Sequence, residues 1–349
     1  MSNGEASSEI TEDNSRGFES RIVRGEETLG KRNIALRENA IKFLSIQRNE
    51  EENLSEEQIV AFKASEGALR LLQLDSLAEF RVGKKTGRLD SRKLKRHKDI
   101  LGYSKIDSKE QILFLLISNT FNRTDELAET AIRSTRSHDS KSVGKEFLNN
   151  LLTKVRVSEF TDQGGDKVRV NFFEMFSHIK TLAELWNVNI DNWDNYVDTI
   201  IQGQAEGQEM LQKSRNAGSI TYSSKEAVHY RRSTIGNYAR LLGEALFGKD
   251  EKKVNTFVEQ LMQTQVRDDQ IDVFEDINSQ VNPFVAILQE HDLLEDFINY
   301  SKSLKPSIAV SVHDYFTARF IRFKDKIMNM SFNDDVAYLR HSYAAGINT

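Results

Sequence analysis

The residues best suited to chemistry in this 349-residue chain are cations set at helical spacing beside tyrosines. In 225–247, Lys225, His229, Arg232, Gly236 and Arg240 follow one another at three or four residues, which stacks them on one face of a helix. Tyr230 and Tyr238 flank that stripe and Arg231 adjoins it. Residues 308–330 repeat the layout, with Tyr315, Arg319, Arg322 and Lys326 at spacings of four, three and four. A third basic stretch, 81–98, contains Lys84, Lys85, Arg88, Arg92 and Lys93. Arg and Lys neutralise phosphates through charge-assisted hydrogen bonds, and a tyrosine ring stacks on any base. The stripes therefore have the chemistry of a sequence-tolerant groove for single-stranded RNA. They stand out because the chain as a whole is acidic, with net charge −5 and a pI near 5.9.

A second constellation is acidic. Asp268, Asp272 and Asp276 lie four residues apart, so a continuous helix would stack three carboxylates on one face, with Asp269 beside the first. Hard divalent cations take such oxygen clusters, and Mg²⁺ held there would bridge to a diphosphate. The seven histidines show no metal-ligand spacing, and the chain has no cysteine. It also lacks a P-loop, a dinucleotide-binding glycine fingerprint, a nucleophile elbow and a zinc-protease HExxH. On the RNA reading the chain is not an enzyme and needs no cofactor; the acidic reading is the one that would require Mg²⁺.

The elements that must position these residues are mainly α-helical. Only two prolines occur, Pro283 and Pro306, so long uninterrupted helices are permitted. Apolar periodicity begins near Asn33, Ser55 announces a second helix, and Ile112–Phe121 forms a dense apolar one. Gly83 and Gly87 mark a loop in the basic stretch. Residues 153–173 differ: Val155 and Val157, then a turn at 162–166, then Val168 and Val170 alternate with charged residues as a β-hairpin does. Its cations Lys154, Arg156, Lys167 and Arg169 suit a projecting wing. Residues 1–30 are rich in Ser, Glu, Asn and Gly and poor in large apolar side chains, the composition of a flexible arm. The glycines of 203–222 suggest a connection between two helical lobes, 31–205 with the hairpin and 220–349. No apolar run reaches the roughly 20 residues that span a bilayer, and no signal segment is evident, so a cytoplasmic protein without membrane partners is expected.

Two resemblances sharpen the alternatives. The stretch His341-Ser342-Tyr343-Ala344-Ala345-Gly346-Ile347, preceded by amphipathic helices, resembles the serine–tyrosine–alanine–x–glycine stretch in nucleoproteins of non-segmented negative-strand RNA viruses. That resemblance implies a viral capsid-type protein of host cytoplasm or virion. RNA would lie in a basic cleft between two lobes, and copies of the protein would assemble into an oligomer or filament and exchange arms. Residues 264–276, with Gln265, Asp268, Asp269, Asp272, Phe274 and Asp276, resemble the second aspartate-rich motif of class I isoprenoid synthases. That one implies an all-α, Mg²⁺-dependent terpenoid or prenyl diphosphate synthase, with Asp125, Glu126 and Glu129 as the nearest candidate for its partner motif. The RNA-binding, self-assembling protein is the leading expectation and the synthase the alternative.

Overall fold

Helices dominate because the apolar residues recur at helical spacing and the polar ones at their starts supply caps. The structure is a computed structural model that describes residues 36–86, 108–133, 140–277, 279–304, 312–327 and 330–344. The expected N-terminal arm, 1–30, lies outside them. Residues 36–50 are helical (α1), followed by α2 (Glu56–Thr86), α3 (Lys109–Arg133) and α4 (Ser140–Asn149). Ser55 caps α2 as expected: its Oγ accepts from Gln58 N at 3.2 Å while Gln58 Oε1 accepts from Ser55 N at 2.9 Å. Helix α2 runs through Gly83, where a loop was expected, so the basic stretch begins inside a helix.

A π-helical turn, Asn150–Lys154, ends α4 and feeds the hairpin of β1 (Arg156–Thr161) and β2 (Lys167–Asn171). The strands pair antiparallel from Arg156↔Asn171 to Thr161↔Lys167, with a bulge between Arg156 and Ser158. The bulge turns both Val157 and Ser158 inward. Asp162 Oδ1 accepts from Asp166 N at 2.9 Å and Gly165 takes a left-handed φ of 88°, which closes the turn. The hairpin does not stand free. Ser158 Oγ donates to the Ala64 carbonyl on α2 at 2.7 Å, beside Gly67, where an added Cβ would also press on the Glu159 carbonyl oxygen at 3.0 Å. Gly67→Ala is therefore expected to lift β1 from α2 and to cost about 1–3 kcal/mol. Urea unfolding would show the loss, and faster amide exchange in 156–171 would locate it.

After the hairpin come α5 (Phe172–Leu185), α6 (Trp193–Ala217) and α7 (Ser224–Arg231), the first and third opened by capping boxes, Asn171/Glu174 and Ser223/Glu226. A second π-helical turn, Arg232–Gly236, joins α7 to α8 (Asn237–Phe247). Helices α9 (Glu251–Ile271), α10 (Val273–Asp276), α11 (Pro283–Glu290), α12 (Leu294–Ser303), α13 (Val312–Lys326) and α14 (Met330–Ala344) complete the described chain. The glycines at 203 and 207, expected to break the chain, sit inside α6 instead. Helix α6 therefore crosses the end of the proposed N-terminal lobe at residue 205, and the turn is confined to Gly218 (φ 68°) and its successors. Gly207 is buried where a Cβ would meet the Tyr230 ring at 2.5 Å, so it marks a close helix–helix approach.

The buried apolar side chains gather mainly in two clusters. One is built on α1–α6 and reaches Leu241, Leu242 and Ala245 of α8 and Phe257 of α9. The other joins Ala239 of α8 and Val254, Val258 and Met262 of α9 to α11–α14. Helices α8 and α9 thus serve both. Among the described residues no helix is long and apolar enough to cross a membrane.

Candidate nucleic-acid interface

The stripe of 225–247 is largely consumed by the protein's own packing. Arg231 is 5% exposed and Asp269, its partner on α9, 1%. Arg231 donates from Nε to Asp269 Oδ2 at 3.2 Å and from Nη2 to Oδ1 at 2.9 Å. The same carboxylate accepts from Tyr343 Oη at 2.7 Å and from Gln265 Nε2 at 2.7 Å. Burial opposes the guanidinium's charge, but Asp269 together with Tyr343, Tyr230 and Asp276 outweighs it and holds Arg231 above its ordinary range. Tyr343 is pushed well above the usual phenol range by burial and by Asp269. A phosphate reaching Arg231 would have to displace a buried carboxylate, so the expected phosphate contact is corrected to a structural ion pair. The adjacent Arg232 donates to the Ser342 carbonyl. Arg232 thus holds Ser342 directly while Tyr343 shares Asp269 with Arg231, and the Ser-Tyr of the C-terminal motif acts as the clasp that seats α14.

The two tyrosines of this stripe are likewise inside, not placed to stack on bases. Tyr230 is 8% exposed and donates to Gln204 Oε1 at 3.2 Å. Tyr238, also 8% exposed, stacks on Phe121 with ring centroids 4.3 Å apart and donates to Ser118 Oγ at 3.1 Å. Arg240 is shared between Glu244 (3.2 Å), Asn255 (2.7 Å) and Glu251 (2.6 Å). Burial raises Glu244 above the usual carboxylate range, although Tyr196, donating at 2.7 Å, and Arg240 both oppose the shift.

The second stripe is different. Arg322 and Lys326 on α13 are exposed, and neither has a carboxylate within ion-pair distance among the described residues. Lys326 Nζ lies 5.3 Å from the centroid of Tyr300 on α12, and that ring packs against Phe323 at 5.6 Å. Arg319 is more enclosed, over the Phe274 ring at 5.0 Å and 3.4 Å from Glu275 Oε1. Tyr315 lies in the helical backbone of α13. Lys84 and Lys85 lie in the last turns of α2, a helix that touches α13. Arg88, Arg92 and Lys93 lie outside the described residues. Tyr300 is the aromatic member that the sequence did not reveal, because it comes from another helix with no spacing relation to 319–326. The hairpin contributes little net charge, since Lys167 and Arg169 both pair with Glu159, at 3.2 and 2.9 Å.

The aspartates of 268–276 do not form one face. Helix α9 ends at Ile271, and Asp272 leaves helical geometry at φ −92°, ψ 7° before α10 begins. Asp269 is spent on Arg231. Asp276 turns inward, 7% exposed, where Asn282 Nδ2 donates to its Oδ2 at 2.9 Å and to the Asp269 carbonyl at 2.7 Å. Burial pushes Asp276 up to about 7, against the pull of Asn282 and Arg231 and with the repulsion of Asp269 added. Tyr222, whose Oη meets Asn282 N at 3.4 Å, is pushed by burial to about 12. Among the described residues no group of three or more His, Asp or Glu side chains is placed to hold a metal ion. A cleft of about 510 Å³ opens between Ser108–Gln111, Asn187–Asn189 and Leu246–Lys249, and none of these cations or aspartates lines it.

The chain matches no protein-family model, no curated protein and no solved structure at a significant level.

Proposed function

We propose that this protein binds single-stranded RNA along the α12–α13 face and assembles on it through copies of itself, in the manner of a cytoplasmic nucleoprotein. One observation carries the reading. On α13 two cations of one stripe, Arg322 and Lys326, are exposed without a carboxylate partner among the described residues, and Lys326 lies beside the Tyr300 ring. The 225–247 stripe, by contrast, keeps Lys225 exposed but has its tyrosines buried. An exposed guanidinium, and an exposed ammonium beside an aromatic ring, provide phosphate contact and base stacking without base readout, which predicts binding with weak sequence preference. Helix α2, which touches α13, carries Lys84 and Lys85 in its last turns.

The test is the charge-reversal pair Arg322→Glu/Lys326→Glu, measured by fluorescence anisotropy with labelled oligouridine. Affinity is expected to fall at least about tenfold, and the slope of log K against log salt to fall by about 1.4, two single-strand phosphate contacts. Lys252→Glu, on the exposed start of α9, is the control and is expected to change neither. Light scattering should show particles growing on addition of RNA. An unaltered salt slope in the double variant, or no binding by the wild-type protein, removes the proposal.

A further inference from the structure

Arg319 lies on the same helix as Arg322 and Lys326 but is held back from solvent. Its side chain is 12% exposed, covered by Phe274 at 5.0 Å and paired with Glu275 at 3.4 Å. Both holders belong to the four-residue helix α10, and α10 is pinned by its last residue. The Asn282 amide nitrogen bridges Asp276 Oδ2 and the Asp269 carbonyl, tying α10 to the end of α9 and the start of α11. Charged and titratable groups reach Asp276 from each neighbouring element. Asp269 of α9 and Glu275 of α10 face it as like charges, and Arg231 of α7 faces it as the cation. Tyr222 adds a phenol from the connection before α7, and Tyr343 of α14 is turned to Asp269. Arg231 already gives two hydrogen bonds to Asp269. An ionised Asp276 in this place therefore has one amide donor and two like charges, whereas a neutral carboxyl keeps the Asn282 bond without repulsion.

We propose that α10 is a proton-linked latch on the basic face of α13: with Asp276 protonated, α10 stays docked and Phe274 and Glu275 hold Arg319. When Asp276 ionises, α10 turns the carboxylate toward water and frees Arg319 to join Arg322 and Lys326. The RNA part of this inference rests on the α12–α13 reading; the latch does not. The raised titration of Asp276, near 7, sets the change close to neutrality. Glu275 is also raised by burial, against the pull of Arg319, so its own grip weakens on the acid side and the test is confined to neutral and weakly basic solution.

Amide hydrogen exchange of the whole protein without RNA reads the latch directly. Between about pH 6 and about pH 8, after correction for intrinsic rates, protection in 272–277 of the wild type is expected to fall about fivefold or more. In Asp276→Asn it should stay constant, with the buried segments of α2 and α5 as internal reference for folding. Equal protection of the wild type at both pH values, or the same fall in Asp276→Asn, overturns the latch. Oligouridine affinity over the same range should tighten in the wild type relative to Asp276→Asn, and Arg319→Ala should abolish the difference. If exchange changes as stated but no RNA binds at either pH, the RNA reading fails and the latch stands.

Discussion

Asp269→Ala is expected to destabilise the protein by about 3–5 kcal/mol, the cost of leaving a buried charge without its partner. The carboxylate accepts four hydrogen bonds, two from Arg231 and one each from Tyr343 and Gln265, and its backbone carbonyl takes a fifth from Asn282. Alanine leaves the Arg231 guanidinium charged in a place 5% exposed. It also strands the Tyr343 hydroxyl, so α14 loses half of its clasp while Arg232 still holds the Ser342 carbonyl. Tyr343→Phe removes one charge-assisted bond and should cost less, about 1.5–3 kcal/mol. Urea unfolding of the three proteins gives the ranking. A loss below about 1 kcal/mol for Asp269→Ala would mean that Arg231 finds water when its partner is gone and that the pair does not organise this region.

Stability is expected to decline as pH rises through neutrality, and Asp276→Asn to remove most of that decline. The direction comes from linkage. Asp276 is raised in the folded protein from 3.8 to about 7 by burial, so the folded state binds the proton more tightly than the unfolded chain. Its contribution is fully present below the unfolded value, near pH 4, and is lost as pH rises through about 7; the full shift corresponds to about 4 kcal/mol. Glu244 and Glu275, both raised by burial, act in the same direction. Glu159, Glu226 and Asp250 are lowered by hydrogen bonds and act oppositely, but their effect falls in the acid range, below the ordinary carboxylate values. His178, lowered by burial, also opposes the decline and does so equally in wild type and Asp276→Asn, so the difference between the two profiles isolates Asp276. Thermal unfolding of wild type and Asp276→Asn from about pH 5 to about pH 8.5 separates the contributions. The wild type should lose ground up to about pH 7 and level off above it, so that the variant gains on it over the acid side of the range. Parallel profiles would contradict a buried, neutral Asp276.

What was legible in the chain is what neighbours in sequence decide. The hairpin at 153–173 was readable because alternation and a Gly-containing turn act over a few residues, and β1 and β2 lie within it. Ser55 was readable as a cap because its hydrogen bonds reach only three residues. The helical class followed from periodicity, and Val228 and Leu242 are in the core as that periodicity requires. The start of α11 is equally local in the structure, where Asn282 Oδ1 accepts from Phe284 N and Pro283 takes the first helical position.

The faces of those helices were a different matter. Reading 225–247 with one period assumes an unbroken α-helix, but the π-turn Arg232–Gly236 adds a residue and rotates the side chains of α8 by about 100° relative to those of α7. Lys225, His229 and Arg232 therefore do not continue in line to Arg240. The i+4 spacing of Asp268, Asp272 and Asp276 failed for a similar reason, because the helix stops between the first and second. Whether a cation is free for a ligand depends on what another part of the chain brings to it. Arg231 meets a carboxylate 38 residues away and Tyr343 one 74 away, whereas Arg322 meets none among the described residues. Local order rests on bonds within a turn or two, so composition and spacing are enough to establish helices, caps and a hairpin. Charge availability rests on burial and long-range pairing, and only the packing of α7, α9 and α14 made Arg231 structural and left the α13 face open.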